Sequence, residues 1–143
     1  MGVNADFREK RPEATGSILV VDDEPVLAEY LCRLLAVMGF QANAVFGGRE
    51  ALLELARRRY DAILCDIHMP GMNGVALYHR IREQDPALAR RMLFMTADPD
   101  DPGVVPLIRE HGCVLLHKPL TADRLHEALD RLLAPKPSRR DPR

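Results

Sequence analysis

The stretch Asp61-Ala-Ile-Leu-Cys-Asp66-Ile-His-Met-Pro70-Gly-Met-Asn-Gly74 decides the fold. Ala62, Ile63, Leu64 and Cys65 form an apolar run without alternation, as expected of a strand covered on both faces. Asp66 follows directly, and a turn containing Pro70, Gly71 and Gly74 comes next. A carboxylate at the carboxyl end of a buried parallel strand stands where open α/β sheets bind ligands.

Working outward, four more short apolar runs meet the same description. Ile18–Val21 ends in Asp22-Asp23, and Met92–Met95 ends on Thr96. Cys113–Leu116 precedes His117-Lys118-Pro119, and 41–45 is a weaker strand. Between the strands lie helical patterns. Pro25 suits a first helical turn, Leu27, Leu31, Leu34, Leu35 and Met38 recur at helical spacing, and Gly39 closes the segment. Ala51, Leu52, Leu55 and Ala56 mark a second helix. The basic run 57–59 at its end is a solvated terminus favoured by the helix dipole. A third runs from about Asn73 to Gln84 and stops at Asp85-Pro86. Thr121 caps a last helix with Leu125, Ala128, Leu129, Leu132 and Leu133 inward.

The fourth helical segment is irregular. Pro99, Pro102, Gly103 and Pro106 fall where a helix is expected, and an interior proline costs about 3 kcal/mol. The spacing predicts a short or broken helix whose regular part starts near Pro106.

Five strand–helix units in alternation predict an α/β fold, a single-domain doubly wound five-stranded parallel sheet. Right-handed crossovers place all strand carboxyl ends on one edge, where Asp22, Asp23, Asp66, Thr96 and Lys118 collect. Residues 1–16 read as a disordered leader, 17–134 as the domain, and 135–143 as a Pro-rich tail of net charge +3.

Length and composition agree with that reading. The 143 residues suit one domain, and 47% hydrophobic with 29% charged is an ordinary soluble balance. A net charge of -1 gives no pull toward nucleic acid or membrane. No apolar run approaches a membrane span, and the amino terminus has no signal-peptide core. Cys32, Cys65 and Cys113 are too scattered for a disulfide framework and read as buried free thiols in a reducing cytoplasm. The five histidines show no metal spacing.

Three carboxylates gathered together repel one another, and a divalent cation relieves the conflict. Oxygen ligands without clustered Cys or His favour Mg²⁺, with Mn²⁺ as the other choice. Lys118 adds a positive charge and Thr96 a hydroxyl. Metal, lysine and hydroxyl can surround a phosphoryl group while a carboxylate attacks phosphorus in line. Taken singly, each motif has a plainer reading: Asp22-Asp23 as a helix cap, Asp66 as a turn former, Thr96 and Lys118 as structural or solvated.

The chain resembles the receiver domain of two-component response regulators, whose fold is (βα)5, flavodoxin-like or CheY-like. The matching motifs are ILVVDDEP, ILCDIHMPGMNG, Thr96-Ala97 and Lys118-Pro119. Asp66 lies 43 residues after Asp23, Thr96 30 after Asp66, and Lys118 22 after Thr96, separations that fit the family. The resemblance implies Asp66 as phosphoacceptor, Asp23 as direct Mg²⁺ ligand and Asp22 acting through a water. It implies the His68 backbone carbonyl as third protein ligand, Lys118 paired with Asp66, and Thr96 as the switch hydroxyl. It also implies a cis Lys118–Pro119 peptide, with His68 and Asp98 tuning hydrolysis. The implied function is signal transduction. A sensor histidine kinase or histidine phosphotransfer protein donates the phosphoryl group, and affinity for a downstream protein changes.

The sequence departs from the family in two places. Leu115 stands where the family usually carries an aromatic, and 98–106 is rich in Pro and Gly. Both fall on the output side, so phosphorylation is expected to work normally while the signal is read differently. With no output domain after 134, the reading is a stand-alone or excised receiver, cytoplasmic, without direct DNA binding, with the 98–134 face available for dimerisation. It is not an enzyme in the turnover sense. A haloacid-dehalogenase-like phosphohydrolase would carry a second aspartate where His68 stands. A phosphorylation-independent interaction module would not need the complete acidic set.

Overall fold

The computed structural model describes residues 16–133. Five strands, β1 (Ser17–Val21), β2 (Gln41–Val45), β3 (Ala62–Asp66), β4 (Met92–Thr96) and β5 (Val114–His117), form one sheet in the order β2-β1-β3-β4-β5. Every pairing is parallel. Six helices connect or follow the strands: α1 (Pro25–Val37), α2 (Gly48–Arg57), α3 (Gly74–Gln84), α4 (Pro86–Ala89), α5 (Val105–Arg109) and α6 (Ala122–Leu133). This is the doubly wound sheet that the alternation of apolar runs predicts. The readings of 1–15 as a leader and of 135–143 as a tail lie outside the described residues.

Alternating side chains divide the core in two. Ile18, Val20, Leu64, Leu93 and Met95 face α1 and α6, meeting Ala28, Leu31, Leu35, Leu125 and Leu129. Leu19, Val21, Ile63, Cys65 and Phe94 face the other way, onto Ala51, Leu77, Tyr78, Ile81 and Leu107 from α2, α3 and α5. Each fully buried branched side chain contributes roughly 1.5–3 kcal/mol. β3, at the centre, buries all five of its residues. No helix among the described residues is long and apolar enough to cross a membrane.

Three local expectations change. Asp85 and Pro86 end α3, but they also open α4: the Asp85 carboxylate accepts the Leu88 N–H at 3.1 Å, and Pro86 fills the first turn. β5 begins at Val114, because the Cys113 N–H is already committed to the Leu107 carbonyl at 3.0 Å. All three cysteines are free, yet only Cys65 is fully buried. Cys32 and Cys113 are half-buried, on an element's flank rather than in the sheet. The irregular helix is short as expected, with Pro106 in the first turn of α5 where its missing N–H costs nothing.

Candidate functional site

The strand order reverses between β1 and β3, and the crevice beyond their carboxyl ends is the topological switch point of the sheet. β1 delivers Asp22 and Asp23 there. The Asp22 N–H donates to the Val45 carbonyl at 3.1 Å, which fixes where the chain leaves the sheet. β3 delivers Asp66 as its last residue. Gly74 lets α3 start hard against it. A Cβ at Gly74 would lie 2.6 Å from the Asp66 carbonyl oxygen and 3.0 Å from the Ile67 Cα. The Gly74 N–H instead donates to the Ile67 carbonyl at 2.8 Å, and Asn73 caps the helix through Ala76 N–H at 2.9 Å.

Carboxylate oxygens of Asp22, Asp23 and Asp66 come within 4.8 Å of one another. Asp22 is fully buried and Asp66 nearly so. One Asp22 oxygen accepts the Glu24 N–H at 2.9 Å, which closes a turn ahead of α1. Glu24 is the N-cap of that helix and no side chain caps it, so Asp22 is not a helix cap. Its other oxygen, Oδ2, is buried without a partner among the described residues. An unsatisfied buried acceptor costs about 1–3 kcal/mol, more when charged. Burial pushes the Asp22 carboxyl above the usual range, and the Asp66 charge adds to this against the Glu24 N–H and Lys118. Asp66 is raised too, chiefly by burial. Lys118 opposes this by charge and by hydrogen bond, with its Nζ 3.2 Å from Asp66 Oδ1. A hard divalent cation fits this donor set. It would give Asp22 Oδ2 a partner and remove the carboxylate repulsion that adds to burial at both acids.

Thr96 is buried at the end of β4, one strand over. Its Oγ1 accepts the Asp98 N–H at 3.1 Å and donates to the Asp98 carbonyl at 3.3 Å. The hydroxyl is therefore engaged by its own loop rather than by Asp66. Lys118 is held at the same edge by its N–H, which donates to the Thr96 carbonyl at 2.8 Å, and the Lys118–Pro119 peptide is cis.

A family model described as the response regulator receiver domain matches residues 18–130. The chain belongs to this family. The transcriptional regulatory protein ZraR of Salmonella typhimurium is 34% identical over 117 residues, covering 82% of this chain and 26% of ZraR. The chain thus spans about a quarter of the length of the curated relatives it matches. Among solved structures, the chemotaxis protein CheY4 of Vibrio cholerae is 27% identical with a TM-score of 0.74, covering 83% of this chain and 99% of that one. The receiver domain of the sensor histidine kinase PA1611 of Pseudomonas aeruginosa is 29% identical with a TM-score of 0.69, over 82% and 97% of the two chains. That structure is described with a magnesium ion coordinated in its active-site cleft.

In this receiver the sequence-read residues divide into two groups. Asp22, Asp23, Asp66 and Lys118 meet at one point. Ala97, Asp98, Leu115 and the His68 side chain are not among them. Ala97 is exposed, and its carbonyl faces His117 Nε2 at 3.1 Å. Leu115 is half-buried in β5, opposite Phe94 of β4. His68 is largely exposed and turns to Asp101, with Nε2 3.0 Å from Oδ2. Sequence reading missed Asp101, His117 as a tether of the loop after β4, and Gly74 as a close-approach residue. The first two become neighbours of the site only through strand pairing. Gly74 could have been found, because a glycine opening a helix beside a strand-end acid signals close backbone approach.

Proposed function

We propose that Asp66 is the phosphoacceptor of this receiver and that its phosphorylation requires Mg²⁺ held by Asp22, Asp23, Asp66 and the His68 backbone carbonyl. The observation that carries this reading is the unpartnered, buried Asp22 Oδ2 within a three-carboxylate cluster, beside an Asp66–Lys118 pair. The ion, when bound, neutralises the carboxylates and offsets charge on the phosphoryl oxygens. An Asp66 carboxylate oxygen attacks phosphorus. The P–O bond forms as the P–N bond to the donor imidazole breaks, and the leaving nitrogen keeps the electron pair. Lys118, already 3.2 Å from Asp66, balances the negative charge that accumulates there. Thr96 gives up its bond to the Asp98 carbonyl when it turns to the phosphoryl group, which moves the loop after β4.

The donor is a histidine kinase or histidine phosphotransfer protein, and the readout is altered affinity for a protein partner. Exposed Ile108 and Val114 offer apolar contact on the 98–134 face for such a partner or for a second copy. Hydrolysis of the aspartyl phosphate resets the site, and turnover of phosphoesters is not its task. Intact mass after incubation with Mg²⁺ and acetyl phosphate tests the reading. One added phosphoryl group is expected on the parent, and none on Asp66→Asn or without Mg²⁺. An adduct that persists on Asp66→Asn would overturn it. If the parent forms neither an adduct nor a beryllofluoride complex, the chain is a phosphorylation-independent module.

A further inference from the structure

We propose that Asp101 is a positioning residue for phosphoryl chemistry at Asp66, acting through the imidazole of His68. The inference rests on Asp66 being the phosphoacceptor and concerns what controls access to it. His68 lies two residues beyond Asp66 on the loop that leaves β3, and Asp101 five beyond Thr96 on the loop that leaves β4. β3 and β4 are paired neighbours, with Asp66 beside Met95 and the Ile67 N–H bonded to the Met95 carbonyl at 3.1 Å. The 3.0 Å contact between His68 Nε2 and Asp101 Oδ2 therefore bridges the loop that leaves Asp66 and the loop that leaves Thr96.

The Asp101 end of this bridge is anchored. The other Asp101 oxygen, Oδ1, accepts the Gly103 N–H at 2.8 Å. The Asp101 carbonyl accepts the Val104 and Val105 N–H groups at 2.8 and 3.2 Å, where the chain enters α5. The Asp101 N–H donates to the Asp98 carbonyl at 3.2 Å, the same carbonyl that receives the Thr96 hydroxyl. One connected path thus runs from His68 through Asp101 and Asp98 to Thr96. A carboxylate offers two oxygens with four acceptor positions, so Asp101 can hold the turn and the imidazole together. Sequence reading gave Asp101 no role, and the acidic cluster and Lys118 do not touch it.

In this arrangement the bridge narrows the approach to Asp66 and keeps the Asp98 turn closed on Thr96. Its loss frees the two loops and exposes Asp66 to small donors and to water alike. The pair is partly exposed, with side-chain exposures of 60% and 25%, so its effect is modest. Asp101→Ala and His68→Ala are each expected to speed both adduct formation from acetyl phosphate and adduct loss after donor removal, by about three-fold.

Asp101→Asn keeps an oxygen for the Gly103 N–H but puts a donor-only amide nitrogen where Oδ2 meets the imidazole. It is expected to match the Asp101→Ala rates, whereas a role confined to the turn would leave it at the parent rates. The double variant His68→Ala/Asp101→Ala is no faster than either single one, because both remove the same contact. A purely structural role for Asp101 in the turn would instead give effects that multiply in the double variant. Multiplied effects, or parent-like rates for Asp101→Ala on a parent that does take the phosphoryl group, overturn this proposal alone. A parent that takes no phosphoryl group overturns the phosphoacceptor reading and this proposal with it.

Discussion

β3 buries all five of its residues and ends on a carboxylate, whereas β5, on the far side of β4, buries one of four. The helix that leaves β3 and the helix that leads into β5 differ in the same way. α3 runs for 11 residues with a side-chain cap at Asn73, and α5 runs for 5 with no side-chain cap. The proposed acceptor side of this receiver is thus held by packing on both faces and by backbone in close contact. The output side is held by a few polar tethers: Thr96 to Asp98, His117 to Ala97, and His68 to Asp101. Deep burial fixes the charges and raises their pKa values, which suits the cation and phosphoryl group proposed for this site. Thin burial leaves low-energy alternatives, which suits a segment that must move. Leu115 belongs to this contrast. With no aromatic ring there, the polar tethers are the features left to couple Thr96 to the surface.

Asp23→Ala breaks the acceptor side most severely. It removes a carboxylate from the cluster, and calorimetric titration should show Mg²⁺ affinity reduced by about 100-fold or more. Unchanged affinity would mean that the cation sits elsewhere.

Proton linkage comes next. Asp22 and Asp66 both have folded-state pKa values above the unfolded ones, chiefly through burial. The metal-free native state therefore binds more protons than the unfolded chain as pH rises from the ordinary carboxylate value of about 3.9. Stability should fall through that window. Thermal melts in a chelator should show a steeper fall for the parent than for Asp22→Asn, and added Mg²⁺ should flatten the parent curve. Parallel curves for parent and variant would contradict the burial argument.

Two glycines sharpen the comparison further. Gly74→Ala forces a Cβ into the Asp66 and Ile67 backbone, and denaturant unfolding should show a loss of roughly 1–3 kcal/mol. Gly112, before β5, has φ +66° and open space within 4 Å of where a Cβ would sit, so Gly112→Ala meets only backbone strain, about 1 kcal/mol. Equal losses at the two sites would erase the contrast in packing. Smallest of all, Pro106→Ala should lower stability by about 0.5 kcal/mol, through the entropy of the unfolded chain alone.

Much of this was legible in the chain. The run Ala62–Cys65 has no polar interruption because both of its faces are covered, so the central strand declared itself. Asp22, Asp23, Asp66, Thr96 and Lys118 could be placed on one edge because each closely follows an apolar run. Asp101 could not be paired with His68, since that contact depends on how two loops leave adjacent strands. α4 was hidden because Asp85-Pro86 reads as a stop although the same pair caps a new turn. The end of α5 claimed Cys113 for a backbone bond that hydrophobicity does not report.

The most direct test of the central claim is the position of the phosphoryl group. The protein is loaded with acetyl phosphate and Mg²⁺, the acyl phosphate is reduced with borohydride, and the resulting homoserine is located by peptide mass mapping. The expected result is a single homoserine at position 66 that is absent when the divalent cation is chelated. Homoserine at position 22, 23 or 98, or labelling that persists without the cation, would contradict the account.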